Sequence, residues 1–269
     1  MRIWQPSVAT TTTTTKWPFP SFFCWSVVRV TGYEVSLIQA QHRNRVGIFD
    51  CDEYAVYSNG GKIQIGHLHT IEIPAPMTNK GNFNVPGTTT NSWLNTLIFM
   101  EAWVLITEDD VWWNHEWTVK TDPDAVFFPH RLRELLLIAT PGPDERPRYV
   151  ANCDRTWNGE AKTLKLFGSL EIFSRSAVGA YKAFAKRCKT ELQWRGWGED
   201  YFIQSCMRIL GVEILNGTSF LSDKRCHYAP CSDFTKVAYH DYKNIQSYFD
   251  CWGQSRQHEE EVSRNILRK

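Results

Sequence analysis

The chain lacks several things that would narrow its role at once. It has no CxxC pair, so a structural zinc site is not expected from its 8 cysteines. No apolar run reaches the ~18 residues a membrane-spanning helix needs. No excess of charge exists either: 30 basic against 29 acidic residues leave +1. That balance argues against nucleic acid or an anionic membrane as partner. The opening residues, MRIWQPSVATTTTTTKWPFP, lack the apolar core of a secretory signal, and the true N-terminus is left open.

What remains is a chain of 269 residues, 42% apolar and 22% charged, with room for a sizeable core. Tryptophan is abundant, at 12 residues. Indoles fill cores, and they also stack on sugar rings. The cysteine count is even, which favours an oxidising compartment of the secretory pathway, the Golgi lumen or outside the cell. Cys226 and Cys231 bracket a short loop and are expected to bridge. Cys24, Cys51 and Cys206 lie in apolar stretches and read as buried thiols. Asn216-Gly217-Thr218 is a glycosylation sequon.

Organisation follows from periodicity. Residues 1–20, with the run Thr10–Thr15, read as a disordered or O-glycosylated stem. Residues 21–250 read as one domain, and 251–269 as a charged, frayed helical tail. SFFCWSVVRV (21–30) is apolar and β-branched, as a buried strand is. A helix is expected over 32–45, and a second strand over Val46–Phe49, ending in Asp50, Asp52 and Glu53. Further strands are expected at 117–122, 148–153, 165–174 and 211–215. Helices are expected at 92–106, 130–139, 175–188 and 201–210. Residues 78–91 read as a polar Gly/Pro/Thr loop. Alternating strands and helices predict an α/β fold with a mixed, mostly parallel sheet flanked by helices.

Four constellations carry possible chemistry. Asp122 and Asp124 flank Pro123 at a strand end. In an extended chain, residues i and i+2 point to one side. Two carboxylates that close call for a cation, and hard oxygen ligands suit Mn²⁺ or Mg²⁺. The bland reading is a solvated Asp-Pro-Asp turn. Glu199 and Asp200 follow Gly198 at a helix start, where acids simply satisfy the helix dipole, or where one serves as a general base. Trp194 and Trp197 precede them and are candidates for acceptor stacking. His240 is a candidate third metal ligand, with Lys243 placed to meet a phosphate. Asp50 and Asp52, after the expected second strand, are candidates for contact with a nucleotide. His67 and His69 read as exposed strand residues, and Glu108, Asp109 and Asp110 as a solvated face.

The order of these motifs resembles the GT-A fold glycosyltransferases. WTVKTDPDAVFFPHRLRELL is similar to the K-x-D-D-D-x-F segment of the β-1,3-glycosyltransferase and Fringe group. GWGEDYFIQSCMRILGV is similar to that group's E-D-V-Y-x-G-x-C helix. Pro123 stands where the group commonly has Asp. The resemblance implies a Rossmann-like GT-A domain that moves a sugar from a nucleotide-sugar donor to a hydroxyl of a glycan or glycoprotein, with inversion. It implies Asp122, Asp124 and His240 as Mn²⁺ (or Mg²⁺) ligands. Asp200, beside Glu199, is then the base, and Lys120, Asp122, Asp50, Asp52 and Lys243 serve donor binding. The competing readings are a carbohydrate- or nucleotide-sugar-binding protein without turnover, a metal-dependent phosphohydrolase, and a secreted disulfide scaffold with surface acids.

Overall fold

The structure is a computed structural model describing residues 20–139, 146–156 and 163–266. The expected stem at Thr10–Thr15 and the helix stop at Pro141-Gly142-Pro143 lie outside those residues.

The first strand, β1 (Phe22–Arg29), sends Phe23, Trp25 and Val27 to one face and Phe22, Cys24 and Val28 to the other. Both faces are covered, which is why its sequence is almost continuously apolar. Helix α1 (Glu34–Asn44) follows. The strand expected over Val46–Phe49 does not form. Gly47 takes φ +63°, and Gly47–Asp50 make a 3₁₀ turn. Val46, Ile48 and Phe49 are apolar because they fill the core beside that turn. The second strand is instead β2 (Glu53–Asn59). A small hairpin, β3 (Gln64–Ile65) and β4 (Leu68–His69), precedes the edge strand β5 (Ile71–Glu72).

Helix α2 (Thr96–Asp109) leads to β6 (Trp117–Thr121), then β7 (Val126–Phe127) and α3 (Pro129–Ala139). After β8 (Arg148–Ala151) come β9 (Leu170–Ser174), α4 (Arg175–Glu191) and α5 (Glu199–Ile209). The chain closes with β10 (Glu213–Asn216), β11 (Leu221–Asp223), β12 (Ala238–His240) and α6 (Ile245–Ile266).

The fold is α/β. Seven strands form one sheet in the order β10-β8-β9-β6-β1-β2-β5. All pairs are parallel except those of β9, which runs against both β6 and β8. On one face, α2, α4 and α5 press Trp103, Tyr181 and Phe202 toward Trp25 and Phe173. On the other, α1 and α3 bring Ile38, Leu132 and Leu136 against Phe22, Cys24 and Val119. A second sheet, β11-β12-β7, pairs β11 with β12 in parallel and β12 with β7 antiparallel.

The C-terminal segment is not a frayed tail. Helix α6 buries Tyr248 and Cys251 with Leu37, Val126, Phe128 and Tyr239, and the expected boundary at 250–251 falls inside it. The cysteine expectations are corrected throughout. Cys226 pairs with Cys153, and Cys231 with Cys251. Cys24 and Cys51 form a bridge, as do Cys188 and Cys206, so none of them is a thiol. Four disulfides fit an oxidising compartment. No described helix is long and apolar enough to cross a membrane.

Candidate active site

A cleft of about 610 Å³ opens at the C-terminal edge of the parallel strands, where β1, β2 and β6 end. This is the edge at which open α/β sheets bind ligands. Arg29 and Asn59, the last residues of β1 and β2, are register partners there.

The acids after β6 are set by a turn, not by extended backbone. Ala125 N–H donates to the Asp122 carbonyl at 3.0 Å, closing a β-turn with Pro123 second in it, the position its fixed φ suits. Asp122 and Asp124 still converge. Together with His240, each offers a ligand atom within 4.8 Å of the others. Two carboxylates and an imidazole form a donor set that suits Mn²⁺ or Mg²⁺.

The second sheet supplies the histidine. Its register pairs His240 with Asp223, and the Nδ1 of His240 lies 2.8 Å from the Asp223 carboxylate. That leaves Nε2 facing Asp124 at 3.4 Å. Asp223 is itself held by Arg225, through Nε at 3.1 Å and Nη2 at 2.7 Å. A carboxylate behind a ligating imidazole fixes the ring, the arrangement common around metal-bound histidines. Asp124 is fixed in turn by the Tyr33 hydroxyl, which donates at 2.8 Å, and its carbonyl accepts from Tyr242 N–H. Burial disfavours the charged forms of both members of the pair. Their mutual attraction wins, so Asp124 sits below the usual carboxylate range and His240 is raised to about 9.

Asp200 and Glu199 enter from the first turn of α5 and line the same cleft. Burial, and then the charge of Glu199, push Asp200 up to about 6. Glu199 goes the other way: burial is outweighed by Lys120 beside it. The two neighbours thus have separated affinities for a proton, as an acid–base pair needs. Lys243 lies at the cleft rim, paired with Asp241 at 2.8 Å.

Five expected site residues are placed elsewhere. Asp50 and Asp52 precede β2 rather than follow it. Asp52 accepts from Phe22 N–H and pairs with Arg133, at the amino end of β1. An eight-residue strand is roughly 25 Å long, so both lie far from the cleft. Trp194 and Trp197 pack on the core cluster of α2, α4 and α5 and do not line the cleft. Lys120 is buried beneath the site, not open to it. His67 and His69 are exposed, as expected.

Other residues line the cleft without having been anticipated. The guanidinium carbon of Arg29 sits over Trp93, 3.8 Å from its ring centre. Glu34 accepts from Arg29 N–H, and burial raises it to about 7. The polar loop 78–91 is folded into a wall of the cleft: Thr89 N–H bonds the Gly196 carbonyl and Gly81 N–H the Ser92 carbonyl. A charged residue ending an apolar strand, as Arg29 does, was the available signal. Asp223 and Arg225 had a weaker one, since β11 is only three residues long.

No protein-family model matches the chain, and no curated protein does. Among solved structures, one similar chain is described as a glycosyltransferase involved in the glycosylation of the major capsid of PBCV-1. The two share 8% identity with a TM-score of 0.48, over 86% of this chain and 98% of that one.

Proposed function

We propose that the protein is a divalent-metal-dependent glycosyltransferase, moving a sugar from a nucleotide-sugar donor to a hydroxyl of a glycan or glycoprotein with inversion. The observation that carries this is convergence. Asp122 and Asp124 come from the turn after β6, His240 from the second sheet and Asp200 from a helix, yet all line one cleft. The cation they would hold is Mn²⁺ or Mg²⁺, which would neutralise the diphosphate as it leaves.

The chain's own residues supply the rest. Arg225 and Lys243 place cationic groups at the cleft beside that cluster, where diphosphate oxygens are best met. The Arg29–Trp93 pair and Asn59, at the ends of β1 and β2, form a polar, flat-walled region that suits a nucleoside. Asp200 takes the proton of the acceptor hydroxyl. That oxygen forms its bond to the anomeric carbon as the bond to phosphate breaks, and the nucleoside diphosphate departs. Asp200, held near pKa 6, is ionised at neutral pH and basic enough to accept. A lumen of the secretory pathway is the compartment that the four disulfides favour.

A screen of nucleotide sugars with Mn²⁺, read by calorimetry and by released nucleoside diphosphate, tests this. Asp124→Ala is expected to abolish Mn²⁺-dependent donor binding. Asp200→Asn is expected to spare binding and abolish transfer. Donor binding by wild type with no transfer to any acceptor would favour a binding protein. Diphosphate release with water as the only acceptor would favour a hydrolase.

A further inference from the structure

Lys120 is fully buried on β6, and an ammonium there is costly unless every proton is paired. All three are. Its Nζ lies 2.7 Å from Asp122 Oδ1, 3.1 Å from Glu199 Oε1 and 2.5 Å from the Gly168 carbonyl. The Phe99 ring covers it at 4.6 Å. No proton is left for a phosphate.

The three partners come from three segments. Asp122 follows β6 and belongs to the cation cluster. Glu199 opens the helix that carries Asp200. Gly168 precedes β9, and its own N–H donates to Asp200 Oδ2 at 3.3 Å. A Cβ on Gly168 would stand 2.3 Å from Glu199 Oε1, so a larger residue there would displace the Glu199 carboxylate from its place beside Lys120. Behind them Glu171, on β9, is 4.0 Å from Nζ, and neither of its oxygens has a hydrogen-bond partner among the described residues. Lys120 therefore stands among four carboxylates, Asp122, Glu171, Glu199 and Asp200, and Arg225 is a further cation facing Asp122 and Asp200.

We propose that Lys120 is a positioning residue that ties the metal-holding half of the site to the half carrying the base, and that it does not bind the donor. This rests on the assignment of Asp122 and Asp200 made above. Without the ammonium, Asp122 and Glu199 repel across the gap it fills, and the start of α5 loses its tie to the end of β6. The groups facing Asp200 are Glu199 on its own helix, Lys120 on β6, Glu171 on β9 and Arg225 after β11. Loss of Lys120 leaves Arg225 as the one of these two cations still facing Asp200.

The test uses Lys120→Met and Lys120→Met/Glu199→Gln in the full chain. Mn²⁺ affinity is measured by electron paramagnetic resonance, and Asp200 is titrated by carboxylate ¹³C NMR. Lys120→Met is expected to weaken Mn²⁺ binding about tenfold or more and to move the Asp200 titration upward by about one unit. The double variant is expected to recover most of both, because the unpaired acid is gone. If Lys120→Met folds with both readouts unchanged, the proposal is wrong. Lost nucleotide-sugar affinity with both unchanged would make Lys120 a donor contact instead, and also overturns it. Where the single variant does not fold, recovery of folding in the double supports the pairing, and failure of the double sinks it. If wild type binds no Mn²⁺, the cluster assignment fails by itself, while the Asp200 titration and the double variant still test Lys120.

Discussion

At the scale of single residues, the site is a set of charges whose neighbours decide what each can do. Asp200 offers a sharp pH test. Its carboxyl is raised from 3.8 to about 6 in the fold. As a base it works ionised, so transfer should fall about tenfold per unit below pH 6, read as kcat/KM against pH. The same shift has a stability consequence of opposite sense. A raised carboxyl contributes fully below its unfolded value near 4 and loses that contribution as pH rises through 6. Asp200→Asn should therefore have a higher Tm than wild type at pH 8, and the gain should vanish near pH 4. Equal Tm differences at both would contradict the raised value. Asp223 carries a second test. Its carboxylate holds His240 by Nδ1. Asp223→Ala should weaken Mn²⁺ affinity about 10–100-fold, while Asp223→Asn, which can still accept from Nδ1, should lose less. Titration of both with Mn²⁺ decides.

At the scale of elements, short strands and disulfides matter more than their length implies. The second sheet has strands of two or three residues, yet its register sets Asp223 beside His240. Cys153–Cys226 ties the end of β8 to the segment just after Asp223, closing 73 residues. Removing it by Cys153→Ser/Cys226→Ser should cost about 2–4 kcal/mol in denaturant unfolding. It should also lower Mn²⁺ affinity, because the loop bearing Asp223 and Arg225 is released. Loss of stability with unchanged Mn²⁺ affinity would show that the bridge does not serve the site. Helix α6 was legible as a helix from its sequence but not as part of the core. Its inward residues Tyr248, Cys251 and Ser255 are spaced by three and four, a pattern diluted by the charges around them. Glu259 pairs with the buried Arg131 at 3.1 Å. Glu259→Gln removes the carboxylate partner of that guanidinium, which keeps its bonds to Lys236, Tyr239 and Ser255, and should cost about 1–3 kcal/mol, measured by urea unfolding.

At the scale of the whole molecule, the direction of the strands separates a working edge from a structural one. Asp50 and Asp52 belong to the structural edge, where Asp52 satisfies Phe22 N–H and Arg133. Asp52→Asn should therefore lower Tm and leave donor affinity within twofold, a small change at any surface site. A large loss of donor binding would overturn that placement.

The sequence by itself determined the kinds of elements and the class of fold. Hydrophobic period, β-branched runs and turn residues are local signals, and they placed β1, β6, α4 and α5 within a few residues. It also marked the acids at the end of β6 and the start of α5, because strand ends and helix starts are local features too. Only the tertiary structure decided which of these ends meet. The partners of Asp124 are Tyr33 and His240, 91 and 116 residues away, and no local pattern encodes such contacts. The same holds for the cysteine pairs, for Trp194 and Trp197 turning inward, and for Lys120 beneath the site. Val46–Phe49 is apolar enough for a strand, but Gly47 and the need to reverse before β2 made it a turn. That slip moved Asp50 and Asp52 from the cleft to the opposite edge. Burial and charge pairing across the fold, set by how whole layers pack, carry that information.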